Sequence, residues 1–200
     1  MLKIHRLAAL FAIFYGAAVA ANGVTQQRIP DDSVTGSFRW IMDTPSSLRF
    51  QLVQRIPDQT RSFYNARGFS LEAANKYATA CVMQTIFNNN SSDRTVAFDL
   101  ADWRIVHETR SRPLKLTSEW QADWERLNVS QSGRIAFQWS QFPNVQKHGP
   151  GDWFQGMIAA ELPPAAIFDL ELHWTENGAT RSATMKNIQC AEDRNLGDDT

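Results

Sequence analysis

His107, His148 and His173, with the thioethers of Met157 and Met185, are the residues whose types suit soft-metal chemistry. Thioether sulfur suits Cu(I), and imidazole suits copper in either oxidation state. A copper-binding or copper-delivery protein with His148, Met157 and His173 as ligands is therefore one expectation. The spacing argues against it. No H-x-H, H-x-x-x-H or M-x-x-M puts two ligands on one face, so convergence rests wholly on the fold. The leading expectation is no cofactor.

Nucleophilic and phosphate chemistry has less support. There is no G-x-S-x-G, H-E-x-x-H, Walker loop or G-x-G-x-x-G. Cys81 and Cys190 show no C-x-x-C spacing, and two thiols in an exported chain most simply form one disulfide. Three carboxylates adjoin indoles: Asp102 by Trp103, Asp123 by Trp124 and Asp152 by Trp153. Such pairs would suit a sugar, whose ring stacks on Trp while carboxylates bind hydroxyls. In a strand the two neighbours point to opposite faces, so the plainer expectation is a buried Trp beside a solvated acid.

The stretch "HGPGDWFQGM", His148 to Met157, reads either as a ligand rim or as a turn feeding a strand. Gly149-Pro150-Gly151 is turn punctuation, Asp152 suits an Asx turn, and Gly156 suits a bulge or a close backbone approach. The turn is the stronger reading. Arg55, Arg61 and Arg67 recur every six residues around Asp58. They suit an acidic partner or, more simply, solvated pairs. A partner surface at Arg61, Arg67, Asp152 and Trp153 is carried forward as an expectation.

The elements that must position these groups change along the chain. Lys3, His5 and Arg6 precede an apolar run, Leu7 to Val19, that closes with Ala18-Val19-Ala20. This is the pattern of a cleaved signal peptide over residues 1–20, which points to a periplasmic or secreted protein. No later run is long enough to span a membrane. Removing Lys3 and Arg6 from the 20 basic residues leaves 18 against 21 acidic, a net of −3. That balance excludes a nucleic-acid footprint. Residues 21–36 read as a flexible leader, 37–190 as one globular domain and 191–200 as a polar tail.

Within the domain, Pro57 or Asp58 opens a helix that Gly68 ends, with Phe69 as the apolar contact beyond. Ser70 caps a second helix whose face is Leu71, Ala74, Ala78, Cys81, Val82, Thr85 and Ile86. "RTVAFDLADWRIV" reads as a strand broken near Ala101-Asp102. "TSEWQADWERL" is a short helix, its capping box running from Ser118 to Gln121. "GRIAFQWSQF" alternates, which predicts a strand with Ile135, Phe137 and Trp139 inward. Asn177-Gly178 predicts a hairpin pairing Glu176 with Ala179, Trp174 with Arg181, Leu172 with Ala183 and Leu170 with Met185. Its continuation through Ile188 to Cys190 pins the last strand to Cys81. Asn89, Asn90 and Asn128 lie in N-x-[ST] patterns.

The expected fold is α+β: a helical segment over about 57–88 packed on an antiparallel sheet or sandwich over about 95–190, with one disulfide. The expected function is that of an exported, non-enzymatic accessory or binding protein. The alternatives are copper delivery and a carbohydrate-binding module.

Overall fold

The computed structural model describes residues 23–31 and 36–194. The expected signal segment and the last six residues of the expected polar tail lie outside the described residues. In chain order come β1 (Thr25–Pro30), β2 (Phe38–Asp43), β3 (Leu48–Gln54), α1 (Pro57–Asn65), α2 (Leu71–Ala78) and β4 (Val82–Asn89). Then follow β5 (Val96–Asp99), a 3-10 turn (Leu100–Asp102), β6 (Arg104–His107), β7 (Arg110–Pro113), α3 (Thr117–Arg126) and α4 (Gln131–Ser140). The last elements are β8 (Val145–His148), β9 (Trp153–Ala159), β10 (Ile167–Glu176) and β11 (Ala179–Gln189).

The helices pack on two antiparallel sheets. The first has the order β1-β2-β3-β4-β9. In the second, β10 pairs β11 on one side and both β6 and β5 on the other, with β7 outside β6 and β8 outside β5. Alternation supplies the inner faces. Trp40, Met42, Phe50, Leu52, Met83 and Phe87 of the first sheet share one core with Val96, Phe98, Ile105, Leu170, Leu172 and Trp174 of the second. Aromatic rings lock the sheets together: Phe50 lies 5.5 Å from Trp174 and Phe87 lies 5.7 Å from Phe98.

The four described helices gather at one end of the first sheet's outer face. Tyr64, Phe69, Tyr77, Trp120, Trp124 and Phe137 form a second core over Val82 and Ala159. Two helices end with the same device. Phe69 N–H donates to Tyr64 O and Gly68 N–H to Asn65 O, with Gly68 at φ 84°. Val129 N–H donates to Trp124 O and Asn128 N–H to Glu125 O, with Asn128 at φ 53°. Both are Schellman motifs, in which a left-handed residue satisfies the last carbonyls.

The C-terminal hairpin has the expected register, with Asn177 and Gly178 both at positive φ as the two-residue turn requires. An extra residue enters β11 between Met185 and Ile188, and Asn187 takes φ 54° there. That bulge keeps Met185 and Ile188 both inward. The Cys81–Cys190 disulfide is present.

Several expectations are corrected. Residues 25–30, read as loose leader, form β1 and pair with β2 along its whole length. The second helix stops at Ala78, and Cys81 lies beyond it, at φ 58° before β4. Val82 to Asn89 is a strand because Met83, Phe87 and Asn89 fill an inner face at period two. "GRIAFQWSQF" is a helix: Gly133 and Phe137, four apart, are buried, while Ile135 and Trp139 are 48% and 86% exposed. The third helix is capped two residues earlier than expected, Leu116 N–H donating to Glu119 Oε2.

Candidate binding face

Strand register brings side chains from five distant segments onto one surface. Residues directly opposite in an antiparallel pair share a face. On the outer face of the first sheet, Gln27 is opposite Ile41, Ile41 opposite Gln51, Gln51 opposite Ile86, and Ile86 opposite Gln155. The next row outward from the helices runs Thr25, Asp43, Arg49, Asn88 and Trp153. The row toward the helices runs Ile29, Arg39, Val53, Gln84 and Met157.

The polar groups are pre-arranged. Arg49 binds Asp43 through two bonds of 2.7 and 3.0 Å, which raises the guanidinium's pKa. Arg39 donates to Asp31 at 3.1 Å and to Gln51 Oε1 at 3.3 Å. Gln84 donates to Gln155 at 2.7 Å, and Gln51 to Asn88 at 3.4 Å. Each arginine has an aspartate, so the face carries no excess charge from these pairs. Ile41 and Val53 are buried beneath the long polar stems. Trp153 is 60% exposed at the β9 edge. At the other end Val82, Met157 and Ala159 run under the helices, which make a step above an otherwise open shelf.

The expected ligand residues occupy unlike surroundings. His148 is 3% exposed, its ring 4.9 Å from Phe87 and 5.6 Å from Phe98. Its Nε2 is buried without a hydrogen-bond partner among the described residues. Met157 Sδ accepts from Tyr64 O–H beside the helices. His173 alternates with the buried Leu172 and Trp174, so it faces outward from the second sheet. The fold does not bring the three together, and the described residues hold no group of three or more His, Cys, Asp or Glu that could bind a metal.

"HGPGDWFQGM" is a corner that carries the chain from β8 in the second sheet to β9 in the first. Asp152 Oδ2 accepts from Gly149 N–H at 2.7 Å, and Asn89 holds both flanks, donating through its side chain to Gly149 O and through its backbone to Asp152 O. Asn89 is fully buried, so its sequon is closed in the folded chain. Arg61 is occupied by Asp58, Asn75 and Asp193, and anchors the start of the C-terminal tail. Arg67 lies 3.4 Å over the Phe63 ring. Of the four expected surface residues, Trp153 alone stands on the open shelf.

Asp123 corrects the expectation of a solvated acid. It is 2% exposed and ion-paired with Lys115, Lys76 and Arg126. Burial opposes its ionisation, yet hydrogen bonds from Lys115 and Lys76 hold its carboxyl below the usual range. Burial likewise opposes the charge on Lys115, but bonds to Asp123 and Glu161 raise its pKa. Both partners stay charged near neutrality, so the cluster is a fixed brace rather than an acid–base pair. A shallow cleft of about 270 Å³ opens beside it, lined by Lys76, Trp120, Glu161 and Pro163.

Sequence reasoning missed the glutamines of the shelf. Singly they carry no motif, and only the register assembles them. Among the described residues no helix is long and apolar enough to cross a membrane. Comparison with protein-family models, characterised proteins and solved structures returns no match.

Proposed function

We propose that the protein is an exported, non-catalytic binding protein that takes a neutral glycan on the outer face of its first sheet. The observation that carries this reading is the amide-rich shelf itself. Gln51, Gln84, Asn88 and Gln155 offer both donors and acceptors, which is what a row of hydroxyls demands. The paired Arg49–Asp43 and Arg39–Asp31 add directional bonds without net charge, which suits an uncharged ligand over an acidic one. Trp153 supplies an exposed indole, whose face accepts the C–H face of a pyranose ring. The apolar N-terminal run with its small-residue ending supports export, and the disulfide fits an oxidising compartment.

Affinity electrophoresis and calorimetry against neutral and acidic polysaccharides test this reading. Retardation by a neutral polymer is expected, with Trp153→Ala weakening it at least about tenfold, or 1.4 kcal/mol. Gln51→Ala and Gln155→Ala should each weaken it less. Failure of every neutral polymer, or binding indifferent to all three substitutions, overturns the proposal. Cell fractionation with N-terminal sequencing tests export separately.

A further inference from the structure

We infer that β11 is an open sheet edge that pairs with β11 of a second copy of this chain, in one register that Gln26 helps to set. The hairpin decides which backbone groups face outward. Across its two-residue turn, Glu176 with Ala179, Trp174 with Arg181 and Leu172 with Ala183 are opposite pairs. In such a hairpin these pairs exchange hydrogen bonds, so the intervening Thr180, Ser182 and Thr184 point their N–H and C=O away from β10. Lys186 continues the outward set, and its groups are already claimed. Gln26 Nε2 donates to Lys186 O at 2.7 Å, and Lys186 N–H donates to Gln26 Oε1 at 2.8 Å. A side-chain amide there completes the ladder as another strand would.

Among the described residues nothing comparable covers the first half of β11. Among the described residues β11 pairs only with β10, and the one side chain reaching the backbone of Thr180 to Thr184 is Arg181, at Thr180 O. Proteins blunt exposed edges with proline, charged side chains, above all lysine, or bulges. From Ala179 to Met185 there is no proline, no lysine and no bulge, and the one charged side chain there, Arg181, lies 3.9 Å from Glu176.

The occupant is argued from self-complementarity. Outward residues must meet outward residues in an antiparallel pair. Centring the two-fold on Ser182 sets Thr180 opposite Thr184 and Ser182 opposite its own copy. Arg181 then meets Ala183, so no like charges oppose each other, and Thr–Thr pairs are favourable neighbours. Centring on Thr184 instead would pair Ser182 with Lys186, which Gln26 holds. The side-chain amide thus excludes the Thr184 register. Centring on Arg181 would set two guanidinium groups opposite each other, and centring on Thr180 would put Ser182 against Gly178 of the turn. That leaves the Ser182 register. A contact of this length lies at the small end of specific interfaces, so the dimer is weak and concentration-dependent.

Sedimentation of the whole mature protein tests the inference. The native chain should shift from monomer to dimer as concentration rises. Ser182→Pro removes only an outward N–H, leaving the hairpin's own ladder intact, and should weaken the dimer at least tenfold with an unchanged circular dichroism spectrum. Ser182→Lys places two cations opposite each other and should do the same. Gln26→Ala frees a second register and should leave the dimer in place. A native chain that stays monomeric at every attainable concentration overturns the inference. So does a dimer that survives both folded Ser182 variants, or one lost in a folded Gln26→Ala variant.

Discussion

Gly156 on β9 faces the backbone of Gln141 so closely that a β-carbon there would lie 2.4 Å from Gln141 O and 2.3 Å from Phe142 N. The approach lets Phe142 N–H donate to Met157 O at 2.9 Å, which ties the end of α4 to the first sheet. It also positions Gln141, whose side chain accepts from Tyr77 O–H and donates to Tyr64 O–H within the helical core. Gly156→Ala should therefore push the α4 exit off the sheet. The expected loss is about 1–3 kcal/mol, the range for an overpacked site whose neighbour is backbone and cannot turn aside. Denaturant unfolding checks it, and a neutral substitution would mean that the α4 exit yields freely.

Gly68 makes a contrasting case. A β-carbon there meets nothing nearer than Ser130 Oγ at 3.4 Å, so space is not the constraint. The constraint is φ 84°, which an L side chain enters at a cost. Gly68→Ala should lose about 1 kcal/mol, and Gly68→Asn less, because Asn tolerates the left-handed region. Asn128 occupies the equivalent position after α3. Equal losses for the two variants would show that the motif's geometry is not what sets the stability.

The disulfide closes a loop of 109 residues between the turn before β4 and the end of β11. In the chain-entropy treatment a loop of that size restricts the unfolded state by about 4–5 kcal/mol. The unfolded, unreduced protein should show no free thiol. Reduction, or the Cys81→Ala and Cys190→Ala pair, should lower the unfolding midpoint sharply without changing the folded sheet content. Two titratable thiols before reduction would contradict the bond.

What was legible in the sequence followed from local chemistry. Asn177-Gly178 gives a turn whose geometry dictates register, so the pairs from Glu176–Ala179 to Leu170–Met185 were readable. Gly68 and Phe69 spelled the helix stop for the same reason. The misreadings came where two periods competed. Ile135, Phe137 and Trp139 alternate like a strand, but Ser130 accepts from Gly133 N–H and starts a helix that buries only one of the three. Val82, Thr85 and Ile86 continue a helical stripe, while Met83, Phe87 and Asn89 satisfy a strand equally well. The two core faces decide between them, and those are tertiary facts. The shelf was the least legible, since Gln27, Gln51, Gln84 and Gln155 become neighbours only after five strands are in register.

His148 carries the pH dependence. Burial against Phe87 and Phe98 disfavours the imidazolium and lowers the pKa, and Asp152 offsets this only in part. Its Nε2 finds no acceptor among the described residues, so a proton there would enter the core unpaired. The unfolded chain binds that proton with the ordinary pKa of about 6.5, and the folded chain binds it only at lower pH. Between those values the unfolded state holds more protons, so folding stability falls as pH drops. The contribution is present above about pH 6.5 and is lost as pH falls from there toward the folded-state value. His148→Phe keeps an aromatic ring in the stack and removes the titration. Its denaturant midpoint should therefore change less than the native one between about pH 7.5 and pH 5, the window in which His titrates. Identical slopes for the two proteins would mean that His148 takes up its proton without leaving the core. A metal site at the same ring predicts something else: copper would raise the native midpoint and leave that of His148→Phe unmoved. With the ring packed on Phe87 and Phe98 in the core, Met157 under the helices and His173 on the outward face of the second sheet, no such copper response is expected.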